Sequence, residues 1–262
     1  MTKLYKVAKI TLIPLFEESK TETAERIDNL LSALYMNGQI IESMLEVRGD
    51  EYIATVVTAD DDSLESKYNN AYVRKNLEGF ECSYEIVCDA PTATDCCHCE
   101  DHSFYILAIN PSDDSSPIIC GDCGKEIPLI RVPYLYLEKE HWSILNFQRT
   151  YKAVDRLWMD SLSDRFTKRQ ITDHKSQLNR LGEDIRAELE NKTGKPVYYL
   201  LANPIGGWFE FEKNNKVLEV CPKCGNALSK TEGYFDGVLN QCHDCRLAFV
   251  TFDAIEKSEE NG

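Results

Sequence analysis

The stretch CPKCGNALSKTEGYFDGVLNQCHDC, residues 221–245, is decisive for the fold of this chain. Cys221 and Cys224 form one CxxC pair, and Cys242 and Cys245 form a second after seventeen intervening residues. Two such pairs supply four thiolates that close tetrahedrally around one zinc ion. Gly225 follows the first pair, where a left-handed turn lets nearby amides reach the sulfurs. A CPxCG knuckle, a short strand-forming insert and a second CxxC together predict a zinc ribbon. Four thiolates leave no open position on the metal, so the expected role is structural. His243 lies between two ligands of a set that is already complete and reads as an exposed residue.

A second, less regular cysteine set lies upstream. Cys120-Gly-Asp-Cys123-Gly is another knuckle, and Cys97-His-Cys99 offers two thiols one residue apart. Cys97, Cys99, Cys120 and Cys123 are the expected ligands of a second zinc ion. Cys96 can take the place of Cys97, and His98 and His102 are weaker substitutes. Cys82 and Cys88 fall on the pattern of a strand's inward face, where they read as small apolar packing groups.

Between and before these sets the chain reads as mixed α+β. Residues 3–13 form a β-branched, aromatic strand. Ala24, Ile27, Leu30, Leu31, Leu34 and Tyr35 recur at helical spacing up to Asn37-Gly38. Residues 40–58 suggest a hairpin turning at Arg48-Gly49-Asp50, and a second helix is expected near 64–77. A strand through Cys82–Cys88 completes a β-α-β-β-α-β order, a small split βαβ-like sandwich. Strands are expected at Phe104–Ile109 and Pro128–Val132. A pair of helices follows, one from 141 and one beginning near Thr172-Asp173, then a buried strand at Val197–Leu201. The implied layout is an N-terminal α/β domain (1–90), a CxC/CxxC zinc module (91–140), a helical segment ending in a strand (141–202), the zinc ribbon (203–252) and a disordered tail (253–262).

Composition narrows the function. The 262 residues include 29 basic and 44 acidic side chains, a formal net charge of -15. Only residues 141–195 run positive, with 11 basic and 8 acidic groups, so everything else sums to -18. That field repels phosphate backbones and attracts basic partners. The one patch suited to nucleic acid is Arg165, Lys168, Arg169 and Lys175, accompanied by Phe166 and His174. No dinucleotide fingerprint, Walker loop, nucleophile elbow or HExxH motif occurs, and the five histidines are scattered, so no enzyme is expected. MTKLYKVAKITLIPLFEES has no apolar run of signal-peptide type, no stretch is apolar enough to span a membrane, and CxxC pairs suit a reducing cytoplasm.

Several stretches together resemble a bacterial family of unknown function whose name couples a zinc ribbon with nucleic-acid binding. They are LLSALYMNGQI (30–40), CHC (97–99), CGDCGKEIPLIRVP (120–133), WSILNFQRTYKAVDRLWM (142–159), the helical region 162–194, GKPVYYLL (194–201), CPKCG (221–225) and CHDC (242–245). The resemblance implies both cysteine sites. Similar proteins also occur as immunity partners of secreted or contact-delivered bacterial nucleases. That implies a binding protein whose ligand is a basic nuclease toxin, with nucleic-acid binding through residues 165–175 as the alternative.

Overall fold

The computed structural model describes residues 5–49, 51–91, 94, 97–137, 139–202, 218–234 and 237–251. Asp50, Cys96, residues 203–217 of the ribbon module and the tail 253–262 lie outside the described residues. The protein is mixed α+β, with two sheets and several helices. It divides into two compact units. One comprises the chain up to Glu100 with Ser112–Ile118 and Lys125–Asn146. The other comprises Asp101–Pro111, Ile119–Gly124 and the chain from Phe147 onward. No helix among the described residues is long and apolar enough to cross a membrane.

In the first unit β1 (Lys6–Pro14) alternates, burying Ala8, Ile10 and Leu12. α1 (Lys20–Met36) begins at Ser19, whose hydroxyl accepts from the Glu22 amide while the Glu22 carboxylate accepts from the Ser19 amide. This reciprocal cap satisfies two amides that a helix start leaves open. Ile27, Leu30, Leu31 and Leu34 form its buried stripe. Gly38 ends the helix at φ +75°, and a Cβ there would sit 2.6 Å from Leu129 Cβ, so only glycine fits. β2 (Ile40–Arg48) and β3 (Glu51–Thr58) form the expected hairpin, turning through Gly49 at φ +65°. Asn70 caps α2 (Ala71–Leu77) by accepting from the Val73 amide, and β4 (Phe80–Asp89) follows. The sheet order is β2-β3-β1-β4, antiparallel throughout.

Two expectations are corrected here. The second helix is shorter than 64–77, because Ser66–Tyr68 forms a 3-10 turn and the α-helix starts only after Asn70. Cys82 and Cys88 do not share an inward face. Cys82 pairs with Leu12 and Ile86 with Ala8, but a bulge then sets Cys88 opposite Val7. One extra residue turns the strand over, and both thiols are exposed on this edge strand.

Residues 125–146 belong to the same unit and are fastened to it by polar groups. Tyr134 donates to Asn37 Oδ1 at 2.7 Å, Asn70 Nδ2 donates to the Lys139 carbonyl at 2.8 Å, and the His141 amide donates to the Met36 carbonyl at 2.8 Å. Leu129–Arg131 is a 3-10 turn rather than the expected strand. Pro128 supplies the accepting carbonyl for the Arg131 amide, closing a turn where a ladder was anticipated.

His141 is 1% exposed, stacks against Tyr134 at 4.9 Å and has a buried Nδ1 without a hydrogen-bond partner. Burial drives its pKa down to about 4. The unfolded imidazole titrates near pH 6.5, so the folded state binds fewer protons in between. This contribution is complete above about pH 6.5, declines as pH falls and levels off below about pH 4, roughly 3 kcal/mol in all. Urea unfolding at pH 7 and pH 4.5 checks it. His141→Phe is expected to lose clearly less stability over that interval than wild type, and an equal loss would contradict this account.

The second unit is built on a six-stranded sheet: β5 (Tyr105–Leu107), β6 (Ile118–Cys120), β7 (Val197–Leu200), β8 (Ser229–Tyr234), β9 (Gly237–Cys242) and β10 (Leu247–Thr251), in the order β6-β5-β7-β10-β9-β8. β7 runs parallel to both β5 and β10, whereas β8, β9 and β10 form an antiparallel meander. Its core includes Ile106, Tyr198, Leu200, Leu239, Ala248 and Val250. The helical segment holds three helices and not the expected pair: α3 (Trp142–Met159), α4 (Asp164–Thr172) and α5 (Gln177–Thr193). Ser161 and Ser163 both take left-handed conformations, which separate α4 from α3. Ser176, capping the Asn179 amide, opens α5. Arg165, Lys168 and Arg169 therefore lie on a helix of their own, and Lys175 lies between α4 and α5.

Candidate metal centres

The ribbon cysteines come together at the ends of the meander. β9 finishes at Cys242, Arg246 turns the chain at φ +55°, and β10 returns with Leu247 opposite Cys242. In the other knuckle Val220 bridges to Ala227, and the Cys221 amide donates to the Asn226 carbonyl at 2.8 Å. The Gly225 amide donates to the Cys221 carbonyl at 2.8 Å and the Lys223 amide to Cys221 Sγ at 3.4 Å, with Gly225 at φ +78°. The four sulfurs of Cys221, Cys224, Cys242 and Cys245 all lie within 4.8 Å of one another, and those of Cys224 and Cys242 are 3.5 Å apart. Ligands on a tetrahedral zinc with bonds of about 2.3 Å stand about 3.8 Å apart, so this set fits the ion. Burial, followed by the neighbouring thiols, pushes the Cys242 and Cys245 thiols up, whereas the Asn226 amide draws Cys224 down. Four thiolates so close need a cation.

Cys97, Cys99, Cys120 and Cys123 form a second group with sulfurs within 4.8 Å of one another. The CGDCG knuckle repeats the pattern of CPKCG. The Gly124 amide donates to the Cys120 carbonyl at 3.0 Å, the Asp122 amide to Cys120 Sγ at 3.4 Å, and Gly124 sits at φ +70°. In the CHC turn the Cys99 amide donates to Cys97 Sγ at 3.4 Å. Of the substitutes weighed from sequence, His98 is exposed. His102 is closer: its Nδ1 lies 3.3 Å from Cys120 Sγ, and His102, Cys120 and Asp122 form an overlapping group. When bound, zinc would cross-link the two knuckles of the ribbon.

His243 is exposed, as expected, but not idle. Its Nδ1 is 2.6 Å from the Tyr198 hydroxyl and its Nε2 is 2.9 Å from Ser229 Oγ. It thereby ties the second knuckle to β7 and β8. No sequence spacing signalled this, because Tyr198 comes from a parallel strand more than forty residues away. On α4, Thr167 and Ile171 are buried, and Arg165, Lys168 and Arg169 are exposed. Phe166 is 56% exposed, Arg169 lies 3.5 Å from Asp173, and Lys175 lies beyond the helix end.

These features define a mixed α+β protein with two four-cysteine groups able to hold metal. The model for a domain of unknown function, DUF2310, matches residues 99–202, and that for another, DUF8589, matches residues 7–85. An uncharacterized protein of Haemophilus influenzae is 27% identical over 248 residues, covering 88% of this chain and 92% of its own. A second uncharacterized protein of the same organism is 30% identical over 149 residues, covering 55% of this chain and 70% of its own. The chain belongs to the family of uncharacterized bacterial proteins that these relatives represent. No solved structure matches it.

Proposed function

We propose that the chain is a non-enzymatic, zinc-scaffolded binding protein of the bacterial cytoplasm that recognises and neutralises a basic nuclease toxin. The observation that carries this reading is the charge distribution, -18 outside residues 141–195. A nuclease domain is commonly basic because its substrate is a polyanion. An acidic protein is drawn to such a surface and competes with DNA for it. The two sets of four thiols support a structural role for metal, since a filled tetrahedral shell leaves no position for a reacting water.

A second reading is a nucleic-acid-binding regulator. It is favoured by α4, which presents Arg165, Lys168 and Arg169 opposite its buried side, beside the exposed Phe166. One experiment separates the two. The purified protein is titrated into a purified basic nuclease toxin domain, and plasmid cleavage is followed. Cleavage should stop near one equivalent with no retardation of the DNA by the protein alone. Undiminished cleavage at excess would overturn the leading reading, and salt-sensitive retardation lost in Arg165→Glu/Lys168→Glu would establish the second.

A further inference from the structure

The four-stranded sheet of the first unit has two unlike faces. α1 and α2 cover one, where Ala8, Ile10, Leu12, Tyr52, Ala54 and Val56 are buried. Strand register fixes what the other face presents. Met44 stands beside Thr55, Thr55 beside Lys9, and Lys9 beside Glu85. In the next row Glu46, Ile53, Thr11 and Ser83 stand side by side. Tyr5 and Ala90 pack against the end of the sheet carrying Val7 and Val57. Away from that end, Thr11, Ile53 and Thr55 are half-buried and Met44 is 68% exposed.

Charge on this face is sorted by position. The edge strand β2 contributes Glu42 and Glu46, and the opposite edge β4 contributes Glu81 and Glu85, all exposed. The cations are Lys9 near the centre and Arg48, which is paired with Glu46 at 2.9 Å. A solvated face on an antiparallel sheet is ordinary. A half-buried β-branched centre flanked by polar rims has the layout of an interface, and the glutamates on both edges, against the single central cation Lys9, give it a net negative sign.

We propose that this face is the docking surface, and that its occupant is a protein presenting an apolar patch ringed by lysine and arginine. The inference rests on the proposed function and locates it: the glutamate rims meet the partner's cations, and Ile53, with Met44 between Glu42 and Glu46 on the edge strand, meets its apolar patch. The same rims repel a phosphate backbone, which sets this face apart from α4.

The test compares two double variants of equal charge change. Glu42→Lys/Glu85→Lys alters one residue on each rim. Glu25→Lys/Asp28→Lys alters exposed positions of α1, on the helical side of the sheet. Both are titrated by calorimetry against the same basic nuclease toxin domain. The rim pair should weaken binding at least about 30-fold, because like charges placed across an interface are costly. The α1 pair should stay within about 3-fold, reflecting only screened long-range attraction. Wild-type binding with equal losses in both pairs, or with none in the rim pair, overturns this assignment alone. A nuclease domain that wild type leaves unbound overturns the proposed function together with it.

Discussion

Replacing Cys224 by serine is expected to cost the protein one zinc ion and the order of its C-terminal meander. The four ribbon sulfurs lie within 4.8 Å of one another, in knuckles whose amides point at Cys221. A hydroxyl is a poor zinc ligand, and the three remaining thiols would be left crowded without the cation that reconciles them. Binding of structural zinc is worth roughly 10 kcal/mol or more in small ribbons and is spent on folding. Even partial loss of that sum should lower the Tm by at least about 10 °C. β9 and β10 hold the buried Leu239, Ala248 and Val250, so exposure of this core should bring proteolysis between Cys221 and Thr251. Cys88→Ser, at an exposed thiol outside both groups, is the control and should leave metal content and Tm unchanged. A Cys224→Ser protein that keeps both its metal and its melting temperature would refute the structural role.

The second large effect is expected at Gly182. Alanine in place of glycine within a helix ordinarily stabilises by about 1 kcal/mol. At Gly182 the added Cβ would lie 2.8 Å from Phe147 Cζ and 2.8 Å from Tyr199 Cζ. The Tyr199 ring has little freedom to yield. It is 1% exposed and donates to Asn179 Oδ1 at 2.7 Å. Gly182→Ala should therefore destabilise by about 2–3 kcal/mol, of the size that overpacking costs, and Gly182→Leu should prevent soluble folding. Urea denaturation of the alanine variant measures this, and a gain in stability would show that the α5–β7 contact is looser than described.

Much of this architecture is legible in the residues, and the misses have physical causes. The first helix announces itself through its apolar stripe and Asn37-Gly38, and the structure runs from Lys20 to Met36. The β2–β3 hairpin is marked by Gly49. Both cysteine groups follow from spacing, because a knuckle is a local structure whose turn and ligands lie within five residues. What fails is whatever depends on a single dihedral choice or on distant contacts. The bulge that turns Cys88 outward leaves no mark in an alternating pattern. The break between α3 and α4 rests on Ser161 and Ser163 adopting a conformation that serine rarely takes. Pro128–Val132 has strand-like composition, yet the proline closes a turn. The Tyr198–His243–Ser229 chain depends on strand pairing that sequence spacing does not encode.

In the proposed function, metal is the framework of the fold and the acidic surface its working part. Native mass spectrometry of the purified protein, repeated after chelation, tests the framework most directly. The intact chain should carry two zinc ions, one for each set of four thiols, and removal of both should be accompanied by a shift to the high charge states of an unfolded chain. A chain of apo mass that retains the compact charge-state distribution would contradict it.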